Sequence, residues 1–233
     1  VSSVKTLIFS SSASVYGNPQ YLPIDEDHPT SVTNPYGRSK LQIEEILSDL
    51  VKSQNDWRIV CLRYFNPVGA DQNGLIGENT NLTPSNLIPC IEEVAMRKKP
   101  KLIIFGNDYN TIDGTGVRDF IHITDLAEGH KAALDFLKNV NGFHVFNLGT
   151  GSGFSVLEMV KAFEKVSGIA IPVQFDARRS GDVAISFAKT DKAKKYLKWQ
   201  ANKTILDMCE SSWNYQLNKI LKSDQFKLSG EKE

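Results

Sequence analysis

The sequence predicts an α/β fold built on a largely parallel sheet. Short β-rich runs alternate with amphipathic helical stretches along the whole chain. The first run, residues 5–9, ends in the consecutive apolar residues Leu7-Ile-Phe9, as expected of a strand buried between neighbours. Helix start and stop signals fall between the runs.

The elements follow in order. Residues 5–9 run straight into Ser10-Ser-Ser12, with no charged leader, apolar region or cleavage site ahead of them. The chain therefore reads as if it starts inside a fold. Residues 17–34 are rich in Gly, Pro, Asp, Asn and Thr and predict a long surface loop. Asn34-Pro35 opens a helix, Asn as N-cap and Pro at the first helical position. Ile43, Ile46, Leu47, Leu50 and Val51 mark its expected buried face. A strand over 57–62 ends in Arg63-Tyr-Phe-Asn-Pro67, and a second loop covers about 68–85. A helix at 88–96, strands at 102–105 and 120–123, a helix across Leu126, His130, Ala133 and Phe136, and a strand at 143–148 come next.

The following helix has the clearest local signals. Ser155 and Glu158 fit a capping box, and Phe154 can staple onto Met159. Val156, Met159, Val160 and Phe163 form its stripe, and Gly168 ends it. A strand at 173–175 and helices near 191–197 and 204–219 complete the pattern. The polar residues from Ser223 onward are expected to fray.

Composition narrows the function. The 233 residues carry 27 Lys+Arg against 27 Asp+Glu, and the absence of a basic excess argues against a general nucleic-acid binder. Hydrophobic residues at 41% and charged residues at 23% are ordinary for a soluble globular chain. The longest apolar runs fall far short of the ~20 residues that span a bilayer, so no membrane role is expected. Cys61, Cys90 and Cys209 have neither paired nor metal-type spacing and read as buried thiols of a cytoplasmic protein. His28, His122, His130 and His144 are never closer than eight residues, so no local metal motif is present.

Tyr36 and Lys40 lie one helical turn apart and share a face. A nearby ammonium favours a phenolate, which suits a Tyr to general acid/base work. The pattern alone is weak, but Ser12 stands upstream at a strand end, where parallel sheets bind ligands. Ser, Tyr and Lys together make a constellation in which a cofactor carries the redox step and Tyr moves the proton.

Several motifs then agree: Phe9-Ser-Ser-Ser-Ala-Ser-Val-Tyr-Gly17, Asn34-Pro-Tyr-Gly-Arg-Ser-Lys40 and Arg63-Tyr-Phe-Asn-Pro67. Asn86-Leu-Ile-Pro89, Phe105-Gly-Asn-Asp-Tyr109 and Asp113-Gly-Thr-Gly-Val-Arg-Asp-Phe-Ile-His122 follow, then Asn147-Leu-Gly-Thr-Gly-Ser-Gly-Phe-Ser-Val156 and Arg178-Arg-Ser-Gly-Asp182. Over about residues 3–215 the chain resembles the extended short-chain dehydrogenase/reductase family and, within it, the UDP-glucose 4-epimerases.

The resemblance implies a Rossmann-type parallel sheet lacking its N-terminal half, plus a smaller α/β substrate-binding domain. Residues 1–67 and 119–148 would belong to the first, 68–118 and 149–220 to the second, and 221–233 to a flexible tail. It implies interconversion of UDP-glucose and UDP-galactose through a transient 4-keto sugar, with enzyme-bound NAD and a homodimeric parent protein. Tyr36 matches the catalytic base, Lys40 its partner that also holds the nicotinamide ribose, and Ser12 the substrate-hydroxyl contact. Tyr64, Phe65 and Pro67 match the segment beside the nicotinamide. Asn66, Asn86 and Leu87 match UDP-sugar contacts, and Phe105 the residue beside the uracil. Arg118 and Arg179 match the pyrophosphate clamps, Asp182 the ribose contact and Ser186 a gate beside the sugar. A small residue at that gate implies room for the N-acetyl group of UDP-GlcNAc and UDP-GalNAc. The family's opening βαβ unit with its Gly-rich turn, roughly 100 residues of Rossmann half, is missing. The expectation is a C-terminal fragment, inactive alone.

Some features read as decoys. Gly149-Thr-Gly-Ser-Gly153 imitates a dinucleotide fingerprint but puts Phe154 at the third glycine, and reads as a structural turn. His122 and His130 read as packing histidines, Lys98-Lys99 and Lys194-Lys195 as solvated faces, Ser10 and Ser11 as strand-end hydrogen-bonders, and Arg178 as a salt-bridge partner. The rivals are a nucleotide-sugar 4,6-dehydratase or other epimerase of the same fold and a non-catalytic UDP-sugar-binding fragment. Against the dehydratase, Ser12 is followed by Ala13 and Ser14, neither of which is an acid or a base.

Overall fold

A computed structural model describes residues 3–78 and 84–230, with side chains throughout except at 223–230. In chain order the elements are β1 (Thr6–Ser12), α1 (Pro35–Ser53), β2 (Arg58–Tyr64), β3 (Asn66–Val68), α2 (Leu87–Ala95), β4 (Leu102–Phe105), β5 (Val117–Arg118) and β6 (Phe120–His122). Then come α3 (Ile123–Leu137), β7 (Gly142–Leu148), β8 (Phe154–Ser155), α4 (Val156–Ser167), β9 (Val173–Asp176), β10 (Ile185–Ser186) and α5 (Ile205–Gly230).

The main sheet has the order β1-β2-β7, all parallel, with Ser12 level with Tyr64 and Tyr64 level with Leu148. β2 is central, and Ile59, Val60, Cys61 and Leu62 are fully buried. Ile59 and Cys61 face one cluster with Leu47 of α1, while Val60 and Leu62 face another with Ala133 and Leu137 of α3. Covering both faces with helices is what a parallel sheet requires. Each fully buried Ile, Val or Leu among them stabilises the fold by about 1.5–3 kcal/mol.

A second region holds two small sheets, β4-β9 and β10-β5-β8, with β3-β6 as the joint to the first. Its core gathers α2, α4 and α5 around Ile91, Met159, Phe163 and Met208. The capping box at Ser155 and Glu158 forms, and Gly168 closes α4 in the left-handed conformation at φ 70°. The β5-β8 pair is antiparallel; the other pairs are parallel.

Four local expectations change. On α1, Ile43 and Ile46 are exposed and Glu44 is buried in their place, because Glu44 bonds Arg63 under the sheet. The loop over 17–34 is not all surface: Ile24 is buried and bridged to Ala188, its amide donating to the Phe187 carbonyl at 2.9 Å. The helix near 191–197 is a π-type turn over Ala193–Leu197, and α5 continues to Gly230. The two-residue strands β5, β8 and β10 were too short for any periodic signal. Cys61 and Cys209 are buried and Cys90 half-buried, all as free thiols. Among the described residues no helix is long and apolar enough to cross a membrane.

Candidate active site

At the sheet's C-terminal edge, β1 ends in Ser10-Ser-Ser12 and turns through a single 3₁₀ turn, Ala13–Val15. The Ser12 hydroxyl accepts from the Ser14 amide at 3.1 Å. α1 begins beside it, with the Asn34 side chain accepting from the Gly37 amide at 2.7 Å. Gly37 makes the approach possible, since a Cβ there would lie 2.6 Å from the Ser14 carbonyl oxygen. Tyr36, next to Gly37, is exposed and lies near enough to Tyr64 to act on it electrostatically. Lys40 donates to the Ser10 carbonyl at 2.9 Å, with its ammonium 5.5 Å from the Tyr36 ring centre. Tyr64 bonds the Ser10 hydroxyl at 2.8 Å and His130 Nε2, and burial pushes its phenol up.

Beneath this edge lies a buried charge network. Arg63 donates from Nε and Nη2 to the two Glu44 oxygens at 3.0 and 2.6 Å, and Ser11 donates to the same carboxylate. Burial is the largest influence on the Arg63 guanidinium and would lower it, but the hydrogen bonds and charges of Glu44 and Tyr16 together outweigh it and hold it above its ordinary value. Arg63 also stacks 4.7 Å from the Tyr16 ring centre, and the Tyr16 hydroxyl donates to Asn147 at 2.6 Å. Burial pushes the Tyr16 phenol well above the usual range.

Two clefts open next to each other. The first, of about 240 Å³, is lined by Asn66, Asn86, Leu87, Phe105, Arg118, Arg179 and Asp182 among others. The second, of about 180 Å³, is lined by Ser12, Tyr64, Phe65, Asn66, Arg118, Asp182 and Ser186. Asn66, Arg118 and Asp182 belong to both, so the two form one groove leading to the Ser12 strand end. Tyr36, Lys40 and Pro67 line neither, although Asn34, two residues before Tyr36, lines the second.

The first cleft is electrostatically unfinished. Burial pulls the Arg118 guanidinium below its ordinary value; Asp182 and Tyr109 partly offset this, and Arg179 adds to it. Arg179 lies 4.6 Å over the Phe105 ring and 3.3 Å from Asp182. Two guanidinium groups share a cleft with Asp182, an arrangement that favours an anion. One wall is the edge of β4. The Leu102 and Gly106 amides donate to Pro172 and Asp176 carbonyls on the β9 side, each at 2.8 Å. Alternation therefore turns the backbone groups of Ile103 and Phe105 to the other edge, and both residues line the cleft.

Against known proteins, the pattern of the family described as "NAD dependent epimerase/dehydratase family" matches residues 2–149. The chain belongs to this family. A UDP-glucose 4-epimerase of Bacillus subtilis is 54% identical over 217 residues, covering 93% of this chain and 64% of that protein. The UDP-glucose 4-epimerase of Bifidobacterium longum, solved with NAD+ and UDP, is 51% identical with a TM-score of 0.90, over 93% of this chain and 65% of that one. The enzyme from Stenotrophomonas maltophila, solved with NAD and formylated UDP-arabinopyranose, is 46% identical with a TM-score of 0.91, over 94% and 65%. The chain thus spans just under two thirds of the length of these relatives.

For an NAD-dependent family the Gly149–Gly153 turn is the obvious place to look for a phosphate cradle, and its geometry excludes that use. The Thr150 and Gly151 amides donate to the Asp119 carboxylate at 2.8 and 3.0 Å, and the Ala188 amide joins them at 3.1 Å. A Cβ on Gly149 would meet Asp119 at 2.5 Å. The turn is filled by a carboxylate of its own chain.

Among the remaining decoys, Arg178 pairs with Asp108 at 2.7 Å. His122 accepts from the Thr124 amide at Nδ1, capping α3, and its Nε2 bonds Ser211. His130 is more than packing, since it bonds Tyr64 at the groove. Sequence reasoning missed Glu44, Arg63 and Asp119. The available signal was a charged residue inside an apolar pattern: Glu44 within the α1 stripe and Arg63 at the end of an apolar strand.

Proposed function

We propose that the chain supplies the UDP-sugar clamp and the proton-handling residues of an enzyme that interconverts UDP-glucose and UDP-galactose through a transient 4-keto sugar. The observation that carries this reading is the single groove running from Phe105, Arg179 and Asp182, past Arg118 and Asn66, to Ser12 and Ser186. The two arginines suit the charges of a diphosphate. The β4 edge, with donor and acceptor groups of Ile103 and Phe105, suits the imide edge of uracil, and the Phe105 ring its face. Anchored there, the sugar reaches the Ser12 end. Tyr36 takes the proton from the 4-hydroxyl and later returns it, Ser12 orients that hydroxyl, and the Lys40 ammonium stands beside the Tyr36 ring.

NAD, when bound, supplies the reversible redox chemistry at the sugar C4. The residues fit its nicotinamide end: Lys40 reaches the strand end beside Tyr36, and Tyr64 and Phe65 line the groove. Among the described residues the Gly-rich turn at 149–153 is closed by Asp119, which leaves the pyrophosphate end without a cradle in that turn. We therefore also propose that these 233 residues alone do not turn over UDP-sugars. A dehydratase is disfavoured, because the 3₁₀ turn after Ser12 carries no carboxyl group.

The test is Tyr36→Phe in the active protein that contains this chain. Turnover of UDP-galactose should fall about 10²–10⁴-fold with UDP binding unchanged. Undiminished turnover would sink the assignment. Ser186, level with Arg118 in the β10-β5 pair, leaves the sugar end open, so the same protein should also accept N-acetylated UDP-sugars. Ser186→Tyr should abolish that activity while sparing UDP-galactose, because a phenol and an acetamido group cannot share one packed volume. Equal effects on both substrates would count against the gate.

A further inference from the structure

The helix that carries Tyr36 and Lys40 packs Leu47, Leu50 and Val51 inward but buries a carboxylate beside them. Ile43 and Ile46 are 37% and 65% exposed, while Glu44 between them is 4% exposed. The buried ion pair is a poor source of net stability, since desolvation offsets most of the attraction. Arg63 Nη1 even lacks a hydrogen-bond partner among the described residues. What the pair does provide is direction. Glu44 follows Lys40 by four residues and Tyr36 by eight, on one face of α1. Its carboxylate is gripped by Ser11, next to Ser12 on β1, and by two nitrogens of Arg63 on β2. Arg63 is in turn aimed by the Tyr16 ring, which Asn147 of β7 holds through its hydroxyl. One buried carboxylate thus ties α1 to the strand ends that form the groove.

We infer that Glu44 and Arg63 are positioning residues that set the depth and rotation of α1 and so place Tyr36 and Lys40 against the Ser12 strand end. The inference rests on reading Tyr36 and Lys40 as the proton-handling pair. The decisive variant is the double replacement Glu44→Leu with Arg63→Met, because exchanging a buried ion pair for apolar groups is commonly neutral or stabilising. In this chain, nuclear Overhauser contacts between the Lys40 side chain and the Phe9 ring, over which its ammonium lies at 5.2 Å, should be present and should vanish in the double variant. In the active protein containing the chain, kcat should fall about 10–100-fold while KM stays within about twofold, as for a small misplacement of reacting groups. Persistent Lys40–Phe9 contacts with full kcat in a folded double variant would overturn the inference. If the double variant does not fold, Glu44→Gln, which keeps the side-chain shape, is judged by the same contacts and the same kcat. A protein whose turnover ignores Tyr36→Phe would remove the proposed function, and the Lys40–Phe9 contacts would still decide whether Glu44 positions the helix.

Discussion

Under the sheet, Glu44 and Arg63 are both buried and bonded to each other at 3.0 and 2.6 Å. Around the first cleft, Arg118 and Arg179 instead both lean on Asp182, and Arg118 is depressed by burial without a direct ion pair among the described residues. Away from both, Glu92 is as buried as Glu44 but its hydrogen bond comes from the neutral Gln216, at 2.8 Å, while the charges of Glu78, Lys219 and Lys98 act on it more weakly than burial does. The same elementary cost, taking charge out of water, is therefore met in three ways. Opposite charge meets it at the strand ends, proton uptake meets it at Glu92, and in the cleft the proposed function assigns that part to a bound anion.

The largest expected effect breaks the first arrangement. Arg63→Met leaves Glu44 buried and uncompensated, and should cost about 3–5 kcal/mol of stability. Adding Glu44→Leu should recover most of it. Urea unfolding of the two variants measures both, and a neutral single variant would show that the pair is not the constraint it resembles.

A smaller effect sharpens the second arrangement. Arg179→Ala should weaken UDP binding by about 1.5–3 kcal/mol, the range for hydrogen bonds to a charged group. It should leave the free chain's stability within about 0.5 kcal/mol, since Arg179 is a half-exposed surface side chain. Calorimetric titration with UDP alongside urea unfolding separates the two quantities. A loss of stability with binding intact would place Arg179 with the structural charges.

A pH profile, read as a slope, tests the third. Burial pushes the Glu92 carboxyl up from 4.5 to about 8, partly offset by Gln216. A folded value above the unfolded one means that the folded chain binds the extra proton. The stabilisation is full below about pH 4.5 and is lost as pH rises through about 8. Within that window the loss should run at about 1.4 kcal/mol for each pH unit. Glu92→Gln should flatten the profile of unfolding free energy between pH 5 and pH 8, and an unchanged slope would assign it to other groups.

Local sequence determined much of this protein. The capping box of α4, the Asn34-Pro35 start of α1, the Gly168 stop and the order of the main strands and helices depend on neighbours within a few residues, and such signals survive in a bare sequence. The Tyr36–Lys40 spacing is likewise a property of one helix turn. The family motifs carried the groove residues, which the fold then brought together from β1, α2, β4, β5 and β10. Tertiary structure decided what periodicity had misjudged. Ile43 and Ile46 face outward because Arg63, on another element, captures Glu44. Ile24 is buried because Ala188, 164 residues later, bridges to it. The Gly149–Gly153 turn is closed to a phosphate because Asp119, between β5 and β6, fills it. In each case a long-range partner satisfied a charge or a backbone group, and only the folded chain shows where such a partner lies.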